Sequence, residues 1–210
     1  PALRKLAKKL LREHPQEVTE FTAAVPHDFQ EEDLLHVLLL NEERDFATWH
    51  TEITGFLPYM TNWTLTDAVS PACVKGGKAA NLPKLERSCL NWMLDDRVYV
   101  QRLGVVVLMS LLGTEYFSPE HLRAVAALAG SEEYYVRVAV AWYFAEALAR
   151  QERSALPWFA LADSSDGTDS PGLPAVTLRM TITKAIESRR ISDGLKAELR
   201  QIRATLPRRS

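Results

Sequence analysis

Apolar residues recur at three- and four-residue spacing along nearly the whole chain, and almost no stretch alternates with period two, so helices are predicted throughout. The first covers 2–13, with Leu3, Leu6, Leu10 and Leu11 on one face, and Pro15 opens a second that reaches 24. Further helices are predicted over 31–40, over 45–57 where Pro58 stops the run, and over 63–69 ahead of Ser70-Pro71. The segment Lys75-Gly76-Gly77-Lys78 is read as a loop. Pro83 begins a helix that reaches 93, and Asp95-Asp96 leads into a long apolar one over 97–112. Ser118 followed by Pro119 has the form of an N-cap with proline at the first helical position, which opens a helix to 128. Ser131-Glu132-Glu133 starts the longest apolar helix, ending near 150. A short helix over 154–162, a Ser-, Asp-, Gly- and Pro-rich loop over 163–174, and helices over 175–188 and 192–206 complete the chain.

About twelve short helices with tight turns and no sheet predict an all-α domain over 1–210, built by stacking helical hairpins. A closed bundle is the alternative packing. So many short helices favour a curved stack, whose inner surface is a groove. The 210 residues, 47% of them hydrophobic, suffice for one sizeable core. The longest apolar run, 103–112, is half of a membrane span. The start of the chain is basic and amphipathic rather than a charged cap on an apolar run, so a cytoplasmic protein is expected. Cys73 and Cys89 fit no zinc or CxxC pattern; buried thiols are expected, and a disulfide between them is not required.

The net charge of -2 hides an asymmetry. Residues 1–12 carry five basic side chains and no acid, and residues 178–210 carry nine basic against three acidic, leaving 11 basic and 24 acidic residues between them. Basic ends on an acidic body are either solvated helix faces or a partial surface for an anionic partner.

Polar residues that interrupt apolar faces carry the chemistry. Arg102 projects beside Val98 and Val106 on the helix over 97–112, where it must be paired or reach into a groove. Arg137 and Glu146 interrupt the wall of Val136, Val138, Val140, Phe144 and Leu148, with Trp142 one turn before Glu146. In Asn62-Trp63-Thr64-Leu65-Thr66-Asp67, the i, i+4 spacing puts an indole and a carboxylate on one face of a short helix. An aromatic ring beside an anion suits a cationic guest; core and surface cap is the plainer reading of the same pair. His14, His27, His36, His50 and His121 show no ligand spacing, so no metal or other cofactor is expected.

Four stretches together resemble the AlkD-like DNA alkylation repair glycosylases, which are built of HEAT-type helical repeats: Asn62-Trp63-x-x-x-Asp67, Tyr99-Val100-Gln101-Arg102, Tyr134 through Trp142, and Glu187-Ser188-Arg189-Arg190-Ile191-Ser192. They occur in family order and cover roughly residues 45–205. The resemblance implies a right-handed α–α superhelix with a concave groove, and hydrolysis of the N-glycosidic bond of N3- or N7-alkylated purines in double-stranded DNA by a monomer. Carried onto this chain, the family's functional positions are Trp63, Asp67, Arg102 and Trp142. Asp67 would stabilise an oxocarbenium-like sugar and position water, the two indoles would pack on the cationic region, and Arg102 would hold a phosphate. An alkylated purine is already cationic and leaves without a strong general acid, and the family works without flipping the base, so no deep pocket is expected. Arg137, Arg179, Lys184, Arg189 and Arg190 are the candidate DNA-binding cations, ahead of Lys75 and Lys78, and the first-helix basics join them if that helix lies at the groove. The acidic middle is unusual for a DNA binder. Two other readings stand beside this one: a noncatalytic helical-repeat binder of DNA structure or protein, and a scaffold that uses the acidic middle to hold a basic partner.

Overall fold

Residues 2–75, 79–162 and 171–207 are described in a computed structural model. Most of the glycine loop at 75–78, including Lys78, and most of the predicted loop at 163–174 lie outside the described residues, as do Arg208 and Arg209. The described residues are all-helical, with one isolated parallel bridge between Leu161 and Leu173. None of their helices is long and apolar enough to cross a membrane. The chain divides into two compact units, Pro1–Ser88 and Cys89–Ser210. In each, helices pack on their neighbours along the chain in the manner of a helical repeat.

The first unit contains α1 (Ala2–Glu13), α2 (Pro15–Ala23), α3 (Gln30–Leu40), α4 (Phe46–Phe56), α5 (Trp63–Ala68) and the start of α6 (Leu82–Met93). Its first helices close over Ala7, Val18, Leu38 and Leu39, with Leu3, Leu10, Phe21, Leu34 and Leu35 packed around them. The buried stripe of α1 is therefore Leu3–Ala7–Leu10. Leu6 and Leu11, expected on the same face, flank that stripe and are 40% and 36% exposed. A small residue at the centre lets the backbones approach, and the two leucines on the flanks are left outside the contact.

Asn41, just past α3, ties this unit to its site. Its side-chain amide donates to the Ala68 carbonyl at 2.8 Å, and its carbonyl oxygen accepts from the Ser70 N–H at 2.7 Å. Both bonds fix the end of α5. Asp45 caps α4 by accepting from Thr48 N–H at 2.8 Å, so the expected helix over 45–57 starts one residue later and tightens into a 3-10 turn at Leu57–Tyr59, where Pro58 removes a donor.

The second unit contains α7 (Val98–Leu108), α8 (Pro119–Ala126), α9 (Tyr134–Arg150), α10 (Glu152–Ala155), α11 (Ala175–Glu187) and α12 (Asp193–Thr205). Helix α9 is its axis: α7, α8, α10 and α11 all pack on it, and it buries Val136, Ala139, Val140, Ala141, Tyr143, Phe144, Ala147 and Leu148. The long helix expected over 97–112 ends at Leu108 and continues as a 3-10 turn, Met109–Leu111. Arg97 precedes it and donates from both backbone and side chain to Asp95, which holds the Asp95 carboxyl down at about 2. The helix expected over 154–162 is instead the single turn α10 followed by a 3-10 turn at Leu156–Trp158. Pro157 has no N–H to continue the α-helical ladder.

Two core positions give opposite expected results. A Cβ on Gly104 would lie 2.7 Å from the Cys89 carbonyl oxygen and 2.8 Å from Met93 Cγ, so α7 passes α6 at a separation only glycine permits. Gly104→Ala is expected to lower stability by about 1–3 kcal/mol in urea unfolding, and an unchanged midpoint would show that the two helices move apart freely. The Tyr143 hydroxyl is buried and makes no hydrogen bond among the described residues. Burial pushes its ionisation up. Removing the hydroxyl in Tyr143→Phe is expected to raise stability by about 1 kcal/mol, whereas a loss of that size would reveal a partner for it. Cys73 and Cys89 are buried thiols, not a disulfide.

Candidate active site

Helix α5 is six residues long and depends on its cap. The Asn62 side chain accepts from the Thr64 and Leu65 N–H groups at 2.9 and 3.3 Å, which sets Trp63 as the first helical residue. Leu65, Thr66 and Ala68 face inward, and Asn41 holds the far end. One turn separates Trp63, 49% exposed, from the half-buried Asp67. The buried Thr66 hydroxyl lies 3.0 Å from the Trp63 carbonyl and 3.1 Å from Asp67 Oδ1, within reach of either acceptor.

Trp63 and Asp67 line a cleft of about 480 Å3 together with Leu3 and Arg4 of α1 and Leu34 and Leu38 of α3. Its remaining walls are Ala2, Thr64 and Ala68. Among the described residues only two charged side chains, Arg4 and Asp67, line it, and they have opposite signs. A mostly apolar wall strengthens whatever electrostatic contact a guest makes with the carboxylate. A half-exposed indole one turn away offers a face to a cation. The arrangement can therefore stabilise positive charge at Asp67 while Arg4 meets negative charge.

The second unit holds the other expected residues. Arg102 on α7 is 3% exposed and donates from Nη1 to the Tyr135 carbonyl at 2.9 Å, so part of its guanidinium joins α7 to the first turn of α9. Trp142 is half-buried on α9. Arg190 is ion-paired with Glu146, which also lies 3.6 Å from Arg150. Arg179 donates to the Leu206 and Pro207 carbonyls at 3.2 and 2.7 Å, satisfying groups that the end of α12 leaves open. Arg137 donates to the Ser131 carbonyl at 2.5 Å, while its buried Nε makes no hydrogen bond among the described residues. Lys184 and Arg189 make no ion pair or hydrogen bond there with their side chains. Three of the five cations assigned to DNA from the sequence thus hold the protein's own acceptors.

The sequence reading placed no first-helix cation at the cleft by itself. Arg4 stands one residue after Leu3, a member of the buried stripe, and only the packing of α1 on α3 brings it beside Asp67's cleft. Among the described residues no group of three or more His, Cys, Asp or Glu side chains is placed to hold a metal ion. A family model described as DNA alkylation repair enzyme matches residues 1–179. No curated protein and no solved structure matches the chain.

Proposed function

Because this chain belongs to the DNA alkylation repair enzyme family, we propose that it is a DNA glycosylase that releases N3- and N7-alkylated purines by hydrolysing the N-glycosidic bond. The observation that carries the reading is the pairing of Trp63 with Asp67 at one cleft whose other walls are largely apolar. Alkylation leaves a positive charge on the purine, so the C1′–N bond weakens without a proton from the enzyme. As the bond breaks, electrons leave with the neutral alkylpurine and positive charge moves onto the deoxyribose. Asp67 stabilises that oxocarbenium-like sugar and orients the water whose oxygen joins C1′, with the water's proton passing to solvent or carboxylate. Trp63 presents its ring to the cationic nucleotide.

Trp142 is the second ring in this proposal. Arg102 has the role of phosphate holder, but at 3% exposure it meets a phosphate only if DNA binding displaces what covers it. Asp67 and Trp63 therefore carry the chemistry first. Lys184 and Arg189 remain the most available of the expected cations for the DNA backbone.

The test is to incubate the purified protein with methylated duplex DNA and chromatograph the supernatant. Free 3-methyladenine or 7-methylguanine, with abasic sites left in an uncut strand, is the expected result. Methylpurines retained in the DNA at protein excess would overturn the glycosylase reading.

A further inference from the structure

Helix α1 carries Arg4, Lys5, Lys8, Lys9 and Arg12. Their spacing of three and four residues gathers them into a stripe on the solvent side of the helix, away from the Leu3–Ala7–Leu10 contact. Lys8 lies 3.6 Å from Glu42, Lys9 lies 3.7 Å from Glu13, and Arg12 lies 2.6 Å from Glu13. These are exposed pairs, which contribute about 0–1 kcal/mol and exchange readily for another anion. Arg4 and Lys5 make no ion pair or hydrogen bond among the described residues. Among the described residues, Arg4 is also the only cation lining the Trp63–Asp67 cleft.

We infer that α1 is the phosphate-binding arm of this cleft. Arg4 holds the backbone phosphate beside the nucleotide that enters it, and Lys5, Lys8, Lys9 and Arg12 follow the same strand onward. From Arg4 to Arg12 the helix rises about 12 Å, the axial rise of roughly three to four nucleotides of one strand. The cleft sorts charge along a single nucleotide. Asp67 faces the cationic sugar and base, and the guanidinium faces the anionic phosphate, so neither protein charge meets its like. A stripe confined to one helix also lets an otherwise acidic chain hold DNA, because only the phosphates near the cleft need neutralising. The expected cations Arg137, Arg179 and Arg190 are engaged with acceptors of their own, whereas Arg4 and Lys5 are not.

The inference rests on the glycosylase reading for the identity of the guest and is tested by a separate quantity. Binding of a short duplex bearing one 7-methylguanine is followed by fluorescence anisotropy across a salt series, with base release measured in parallel. Arg4→Gln is expected to weaken binding about tenfold at low salt and to reduce the slope of log affinity against log salt by about one. Its unfolding midpoint should not move. The triple variant K8Q/K9Q/R12Q lowers the slope further. Arg153→Gln, which removes an exposed cation from α10, leaves it unchanged. An Arg4→Gln slope equal to wild type, or an equal loss in Arg153→Gln, overturns the assignment. Wild-type protein that fails to bind the duplex overturns it as well. Protein that binds but releases no base overturns the glycosylase reading alone, and the slopes still decide the role of α1.

Discussion

Asp67→Asn is expected to slow single-turnover release of 7-methylguanine by on the order of 100-fold or more, while binding of undamaged duplex stays unchanged. Asparagine keeps the size of the side chain and an oxygen that still accepts from the Thr66 hydroxyl, 3.1 Å from Asp67 Oδ1 in the wild type. The cap at Asn62 and the bonds from Asn41 to the end of α5 are untouched, so the helix stays in place. What disappears is one negative charge where positive charge develops. In an apolar-walled cleft that loss falls on the transition state far more than on the DNA backbone. A variant with wild-type release would mean that another group stabilises the sugar, and Asp67 would then be a structural partner of α5.

The second large effect concerns acid. His36 is buried between Phe21, His27 and Phe56, with its Nδ1 2.9 Å from His27 Nε2 and its ring centroid 4.1 Å from that of Phe56. Burial, and then the charge of a neighbouring His27, lower its pKa from 6.5 to about 4. In this window the unfolded chain takes up a proton that the folded chain refuses. Stability is therefore complete above the unfolded value and falls as pH drops from about 6.5 toward 4, by as much as about 3 kcal/mol if the whole shift is expressed. Asp33 and Glu52, in the same unit, have pKa values raised chiefly by burial, so the folded chain protonates them more readily than the unfolded one and they offset part of this loss. Urea unfolding at pH 7 and pH 4.5 should show this loss in the wild type. His36→Gln, which stays neutral and can still bond His27, should flatten it. An equally steep pH dependence in that variant would place the acid-sensitive group elsewhere.

Much of the helical architecture was legible because its signals are local. Asn62, Asp45, Ser118 and Ser192 each accept a backbone N–H at a helix start, and each is a residue type that caps. The Trp63–Asp67 pair was legible for the same reason, since one helical turn alone fixes their common face. Side chains whose partners lie far along the chain were not. Arg190 and Glu146 are 44 residues apart, Arg102 and Tyr135 are 33 apart, and Arg179 and Leu206 are 27 apart. An arginine on a helix looks the same in sequence whether it waits for phosphate or bonds a distant carbonyl. Leu6 and Leu11 mark another limit, because periodicity gives the width of an apolar face but not which part of it a neighbour covers. Arg4 needed both kinds of information: the stripe was visible in the sequence, and its place at the cleft follows from α1 packing on α3.

The central claim is that the cleft acts on nucleotides whose base is already a cation. It is tested most directly by a single duplex that carries one 7-methylguanine and one hypoxanthine, incubated with excess protein and assayed for both free bases. With a carboxylate to stabilise the sugar and no strong general acid for the leaving group, the charged base should be released and the neutral one should stay in the strand. Release of both at similar rates, or of neither, would contradict the account.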